Sequence, residues 1–210
     1  MQSFNGEKLK QYFPSITDVQ LNTFSELFFL YHYWNEKINL ISQKDIDNLL
    51  TRHILHSLAI AKIFQFQTGS TIVDVGSGGG FPGIPLAILF PETHFTLVDS
   101  IGKKVRLVKE TCGALGLQNV KAIHERVEKL ETRADFVVSR AVTAFPELYR
   151  WTSGLLRPGL GENHNGLIAL KGGDLKAELA PFKSRVELYP ISGWFHESFF
   201  STKTIVYLKK

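Results

Sequence analysis

Between Thr71 and Pro85 the chain runs TIVDVGSGGGFPGIP. Thr71, Ile72, Val73 and Val75 form a β-branched run that reads as a buried strand. Four glycines follow: Gly76, Gly78, Gly79 and Gly80. Pro82 and Pro85 then occupy what would be the first turn of a helix carrying Ile84, Leu86, Ala87, Ile88 and Leu89. A missing N–H is tolerated there because it would be unpaired anyway. Strand, glycine loop and helix in that order place an open backbone, free to adopt positive φ, at the carboxyl end of a first strand. That is the geometry of a nucleotide-type cofactor site. Asp99 ends the next apolar run, His94 to Val98, where a carboxylate can accept hydrogen bonds from both ribose hydroxyls. The same aspartate also fits an ordinary helix cap or turn, and the two roles can coexist. Arg126-Val127-Glu128, after a third strand, falls where a backbone N–H and a short carboxylate can read an adenine edge.

The glycine spacing bears on which cofactor this is. The dinucleotide fingerprint G-x-G-x-x-G begins correctly at Gly76-x-Gly78 but meets Phe81 at its third glycine. The alternative Asp74-x-Gly76-x-Gly78-x-Gly80 is complete, and it resembles the first motif of S-adenosylmethionine-dependent methyltransferases. A pyrophosphate needs a helix N-terminus rich in free N–H groups, and Pro82 and Pro85 each remove one. Carbonyls and a nearby carboxylate suit an amino-acid tail bearing a sulfonium.

The elements that must position these groups are legible from periodicity. Thr17 and Gln20 form a capping box. Behind it Leu21, Phe24, Leu27, Phe28, Tyr31, Trp34 and Ile38 recur at helical steps, with core packing as the expectation for most of this aromatic face. A second helix is expected from about 45 to 64, with Ile46, Leu49, Leu50, His53, Ile54, Leu58 and Ala61 on one face; His53 reads more readily as a core residue than as a ligand. From Ser70 strands and helices alternate, as in a parallel α/β sheet. Strands are expected at 71–75, 94–98, 120–124, 135–139, 167–170, about 185–190 and 203–208. Helices are expected at about 102–115, 146–156 and 174–182, and a loop at 159–166. The fold class is α/β: a doubly wound, mostly parallel Rossmann-like sheet. An N-terminal helical segment, residues 1–68, packs on a core of residues 69–210.

Composition bounds the rest. The chain has 210 residues, 44% of them hydrophobic and 21% charged, as in ordinary globular proteins. One cysteine, Cys112, excludes a disulfide framework and a cysteine-rich metal site, so no metal is expected, and it reads as a small buried apolar residue. The first residues lack the apolar core of a signal peptide and no apolar run approaches a membrane span, so a cytoplasmic protein is expected. A net charge of +4 is compatible with an anionic partner.

Seven blocks then stand in one order: Trp34-Asn-x-x-Ile-Asn-Leu40, Arg52-His53-Ile54-x-x-Ser57-Leu58, Asp74 to Pro85, Asp99-Ser-x-x-Lys-Lys104, Arg126-Val127-Glu128, Ser139-Arg140-Ala141 and Leu170-Lys171-Gly172. In this the chain resembles the ribosomal RNA small-subunit methyltransferase G family, also called glucose-inhibited division protein B. The resemblance runs from about Phe24 to Gly172. His56 departs from it, standing where the family usually has aspartate.

The resemblance implies a class I methyltransferase fold with an antiparallel last strand. It implies methyl transfer from S-adenosylmethionine to N7 of a guanosine in 16S ribosomal RNA. The expected partner is that RNA or the small ribosomal subunit, and a monomer is expected. Cofactor contacts are then expected at Gly76, Gly78, Phe81, Asp99, Val127, Glu128 and Arg140. Guanine N7 carries a lone pair and no proton, so no general base is needed and catalysis is largely positioning. In agreement, the chain has no Asn/Asp-Pro-Pro-aromatic motif and no Pro-Cys motif. Arg140 is the candidate catalytic residue, holding guanine O6 or a phosphate through its planar fork; it could equally line the cofactor pocket or form a structural ion pair. Arg52, Lys104, Arg126 and Lys171 are candidate RNA contacts, with Lys103, Arg106 and Lys109 on the same helix as Lys104. An NAD-type oxidoreductase and a non-enzymatic ribosome-assembly factor are the alternatives. Phe81 argues against the first, the intact glycine loop with Asp99 against the second.

Overall fold

The structure is a computed structural model and describes residues 3–38, 42–159 and 165–210. Asn39 and Leu40 of the Trp-Asn block, and most of the expected 159–166 loop, lie outside the described residues.

Seven strands form one sheet in the order β3-β2-β1-β4-β5-β7-β6. They are β1 (Thr71–Val75), β2 (His94–Asp99), β3 (Val120–His124), β4 (Phe136–Arg140), β5 (Gly166–Gly172), β6 (Val186–Pro190) and β7 (Lys203–Lys209). β1 to β5 are parallel, while β7 runs antiparallel between β5 and β6. Four of the five β1 residues are buried, as expected of a central parallel strand covered on both faces.

Side-chain alternation divides the interior. Ile72, Leu97, Val138, Ile168 and Ile205 face one cluster, which also takes in α1 (Gly6–Tyr12), α2 (Asp18–Ile38), α5 (Gly83–Leu89) and α6 (Gly102–Ala114). Val73, Val75, Val98, Val137 and Val206 face the other, against α7 (Phe145–Thr152) and α8 (Lys176–Leu179). The N-terminal helices therefore share one core with the α5–α6 face. Phe24, Leu27 and Tyr31 are fully buried in it, the core role expected of the aromatic stripe.

The capping box forms: Thr17 N–H donates to Gln20 Oε1 at 3.0 Å, and Gln20 N–H to Thr17 Oγ1 at 3.2 Å. Gln20 Nε2 also donates to the Ile88 and Leu89 carbonyls, fastening the start of α2 to the end of α5.

Four elements differ from expectation. The helix expected at 174–182 is α8 followed by a 3₁₀ turn at Ala180–Phe182. The single helix expected over 45–64 is broken into α3 (Gln43–Ile46), a π-helical turn (Leu50–Leu55), α4 (His56–Leu58) and a 3₁₀ turn (Ala59–Lys62). Apolar spacing alone cannot separate these forms, because each keeps Leu49, Ile54 and Leu58 inward. α7 stops at Thr152 rather than 156: Thr152 Oγ1 bonds back to the Leu148 carbonyl, and Leu156 leaves to bridge Ala134 beside the sheet. β5 runs longer than 167–170 because β7 pairs with it from Gly166 to Gly172.

Candidate cofactor and substrate site

At the carboxyl ends of β1, β2 and β4 lies a cleft of about 330 Å³. Of the expected site residues it brings together Gly76, Asp99, Lys104, Arg126, Val127 and Glu128.

The loop after β1 is built around glycines for distinct reasons. Gly76 has φ +63°, and a Cβ there would lie 2.5 Å from Val142 Cγ2. Gly78 has φ +58°, yet a Cβ there would meet nothing nearer than the Gly76 carbonyl at 3.9 Å. Its surroundings are open, so a side chain would project into space a ligand can use. Asp99, 7% exposed, fastens this loop: Oδ2 accepts Gly78 N–H at 2.9 Å and Oδ1 accepts Ile101 N–H at 2.8 Å. A carboxylate offers about four lone-pair directions, so two backbone bonds leave capacity for a ligand's hydroxyls. The groups present fit adenosine of S-adenosylmethionine: a carboxylate with spare acceptor capacity at Asp99, apolar walls at Val127 and Ile101, and a second carboxylate at Glu128.

Below the loop, Asp74 points from β1 towards α5 and is fully buried. Its Oδ2 accepts Gly83 N–H at 2.8 Å, while Oδ1 has no partner. Burial pushes its carboxyl up to about 8, opposed by the Gly83 N–H and by Arg140. The first free N–H of α5 is thus taken by an internal carboxylate. Together with the prolines this leaves the helix start unsuited to a pyrophosphate, which removes the dinucleotide reading.

Arg140, at the end of β4, is turned away from the cleft lining. Nη1 donates to the Arg52 carbonyl at 3.1 Å, Nη2 lies 2.9 Å from His53 Nδ1, and the guanidinium sits 5.0 Å from the Phe81 ring centre. Burial pushes it down to about 10, against the pull of Asp74. Phe81 is likewise a packing residue, 3% exposed and in contact with Tyr31 and His53. Tyr31 hydroxyl donates to the Gly79 carbonyl, so α2 supports the glycine loop from beneath. The next residue, Ala141, lines the cleft with φ 53°, a left-handed conformation that costs a non-glycine residue about 1–2 kcal/mol.

The basic candidates separate. Lys104 and Arg126 line the cleft. Arg52 pairs with Asp45 at 2.8 Å. Lys171 is 11% exposed and turned inward, donating to the Thr143 carbonyl at 2.6 Å and to Glu178 at 3.1 Å. His56 is 6% exposed and edge-on to Phe199 and Phe200; burial, then Arg140 and Lys203, hold it well below the usual histidine range. Cys112 is buried, with its thiol pushed up to about 12, the inert packing role expected of it.

Sequence reasoning missed Val142 and Trp151 in the cleft, and Tyr31 under the loop. Tyr31 carried a signal, a polar-tipped ring on a wholly buried stripe, where the hydroxyl needs a partner. Val142 carried none.

Strand order, the antiparallel β7 and a carboxylate at the end of β2 beside a glycine loop define the class I methyltransferase fold. The solved structure of a SAM dependent methyltransferase from Aquifex aeolicus shares it, with a TM-score of 0.56 at 18% identity over 80% of this chain and 98% of that one. At the level of sequence, rRNA small subunit methyltransferase G (GidB) matches residues 20–202, and the chain belongs to that family. Ribosomal RNA small subunit methyltransferase G of Christiangramia forsetii is 52% identical over 203 residues, covering 96% of each chain. That of Flavobacterium johnsoniae is 51% identical over 207 residues, covering 96% of this chain and 97% of its own. The chain is a methyltransferase that uses S-adenosylmethionine.

Proposed function

We infer that this chain transfers the methyl group of S-adenosylmethionine to N7 of a guanosine in 16S ribosomal RNA. The observation that carries the reading is the cleft in which Asp99 pins Gly78, with Val127 and Glu128 opposite, in a chain of this family. The cofactor supplies an electrophilic methyl group on a sulfonium. The chain's residues bind and orient. Asp99 takes the ribose, Glu128 and the Val127 backbone read the adenine, and Gly76 and Gly78 keep the loop open for the amino-acid tail.

Because N7 has no proton to lose, no base is required. The half-buried groups nearby fit that chemistry: Arg140 can only donate, and His53 already uses a ring nitrogen to accept from it. Arg140 is the group assigned to the acceptor side, holding its plane at the end of β4 while guanine and methyl group align. Lys104, Arg126 and Arg52 are assigned to RNA phosphates. Lys171 is assigned to orienting the loop after β4 through the Thr143 carbonyl. The chain works as a monomer in the cytoplasm; among the described residues no helix is long and apolar enough to cross a membrane.

The test is mass spectrometry of small-subunit RNA nucleosides from cells with and without this protein. Loss of 7-methylguanosine at one position, restored by the native gene, is the expected result. An undiminished level with no second enzyme present would sink the reading.

A further inference from the structure

Arg140 and His53 lie on elements far apart in the chain and meet at the junction between the N-terminal helices and the sheet. The guanidinium has no lone pair to offer, so the contact between Nη2 and His53 Nδ1 at 2.9 Å has one sense: the imidazole accepts. His53 is therefore neutral, with its proton on Nε2. Nη1 is taken at 3.1 Å by the carbonyl of Arg52, the preceding residue. Both acceptors belong to the π-helical turn Leu50–Leu55, and such turns concentrate at functional sites. Phe81 closes the arrangement, 5.0 Å from the guanidinium and 5.1 Å from the His53 ring. Two acceptors along the edge and an aromatic ring below fix the plane of a fork that can otherwise rotate.

We propose that His53 is a positioning residue: with the Arg52 carbonyl it sets the plane of Arg140, and through that plane it sets turnover while leaving cofactor binding alone. This rests on the role given to Arg140 above. Other ionisable groups face the same junction. Asp74 and Tyr31 lie on the Arg140 side, Asp45 pairs with the Arg52 side chain, and His56 stands one turn further along. Among the described residues the Arg140 guanidinium donates to Arg52 and His53, and to none of these groups.

Three variants separate the possibilities: His53→Leu, which has no acceptor, His53→Asn, whose amide oxygen can stand in for Nδ1, and Arg140→Lys. Each is assayed for methylation of small ribosomal subunits lacking the modification, for S-adenosylhomocysteine affinity by calorimetry, and for thermal stability. Losing one hydrogen bond to a charged group predicts that His53→Leu lowers kcat by about ten- to hundredfold, with cofactor Kd changed by less than about threefold. His53→Asn should recover most of that loss. If His53→Leu turns over within about twofold of native while Arg140→Lys does not, His53 has no positioning role and the reading of Arg140 stands. If Arg140→Lys is itself as fast as native, the role of Arg140 falls and this proposal with it. If His53→Leu and His53→Asn lose turnover and melting temperature equally, His53 is a packing residue and the proposal is overturned.

Discussion

Replacing Asp99 by alanine tests the cofactor site most directly. The carboxylate is 7% exposed and holds two backbone N–H groups, Gly78 at 2.9 Å and Ile101 at 2.8 Å. Its remaining lone pairs are those assigned to the ribose. Hydrogen bonds to a charged group are each worth roughly 1.5–3 kcal/mol. At about 1.4 kcal/mol per factor of ten, losing one such interaction with the ligand weakens binding by about ten- to hundredfold. Losing the pin on Gly78 adds to this, because the loop must then be ordered by the ligand itself. Asp99→Asn is the more telling variant. One amide oxygen can serve one of the two N–H groups, but the amide NH₂ then faces the other, donor against donor. Asparagine should therefore bind S-adenosylhomocysteine no better than alanine does, although in most settings it is the milder change. Calorimetry on native protein, Asp99→Ala and Asp99→Asn reads both effects. Unchanged affinity in Asp99→Ala would remove the carboxylate from the site. A native-like Asp99→Asn would show that the two backbone bonds do not set the loop.

Other substitutions separate binding from folding. Gly78→Val should abolish cofactor binding with a modest fall in melting temperature, about 1–2 kcal/mol for the left-handed backbone, because a Cβ there meets only the Gly76 carbonyl at 3.9 Å. Gly76→Ala should cost stability as well, since its Cβ would lie 2.5 Å from Val142; equal melting temperatures for the two variants would contradict this. Lys104→Ala and Arg126→Ala should each weaken RNA binding and reduce the salt slope by about 1, whereas Lys171→Ala should leave that slope unchanged and lower stability, its ammonium being engaged with Glu178 and Thr143. Acid should destabilise the fold before the carboxylates titrate. Burial, then Arg140, hold His53 down at about 3, and His56 is also lowered, so below the unfolded histidine value the unfolded chain binds more protons. Urea unfolding from pH 7 to pH 4 should show this loss, at most about 1.4 kcal/mol per pH unit per group, and His53→Asn should lessen it; a flat profile in the native protein refutes the assignment. Asp74 works in the opposite direction over the same window: its carboxyl is raised to about 8, so its contribution is lost as pH rises from the unfolded carboxylate value to about 8, and Asp74→Asn should steepen the acid loss set by His53 and His56.

How much of this was legible in the sequence follows from where the causes lie. The cofactor loop was legible because its causes are local. A β-branched run, glycines at φ-demanding positions and prolines at a helix start all sit within Thr71 to Pro85, and β1, the loop and α5 form there. Asp99 was legible because strand ends are marked by the change from apolar to polar residues. The π-helical turn was not, since apolar spacing survives a local widening of the helix. Nor was the inward pairing of Lys171, because Glu178 stands on a short helix whose docking depends on α7 and the second core cluster.

Arg140 shows where the limit lies. Its position after a strand places it at the ligand end of the sheet, and that much is local. Its orientation is set by Arg52 and His53, 88 and 87 residues earlier, and by Phe81 between them. The Arg-His block carries no spacing that points to Arg140, because the contact exists only once the N-terminal helices have docked on the α5–α6 face. Tyr31 reaches the Gly79 carbonyl across the same junction. The N-terminal segment thus holds both the cofactor loop and the arginine assigned to the acceptor side. A substitution that loosens α2 or the π-helical turn should then disturb the two together, although neither element contributes a side chain to the cleft.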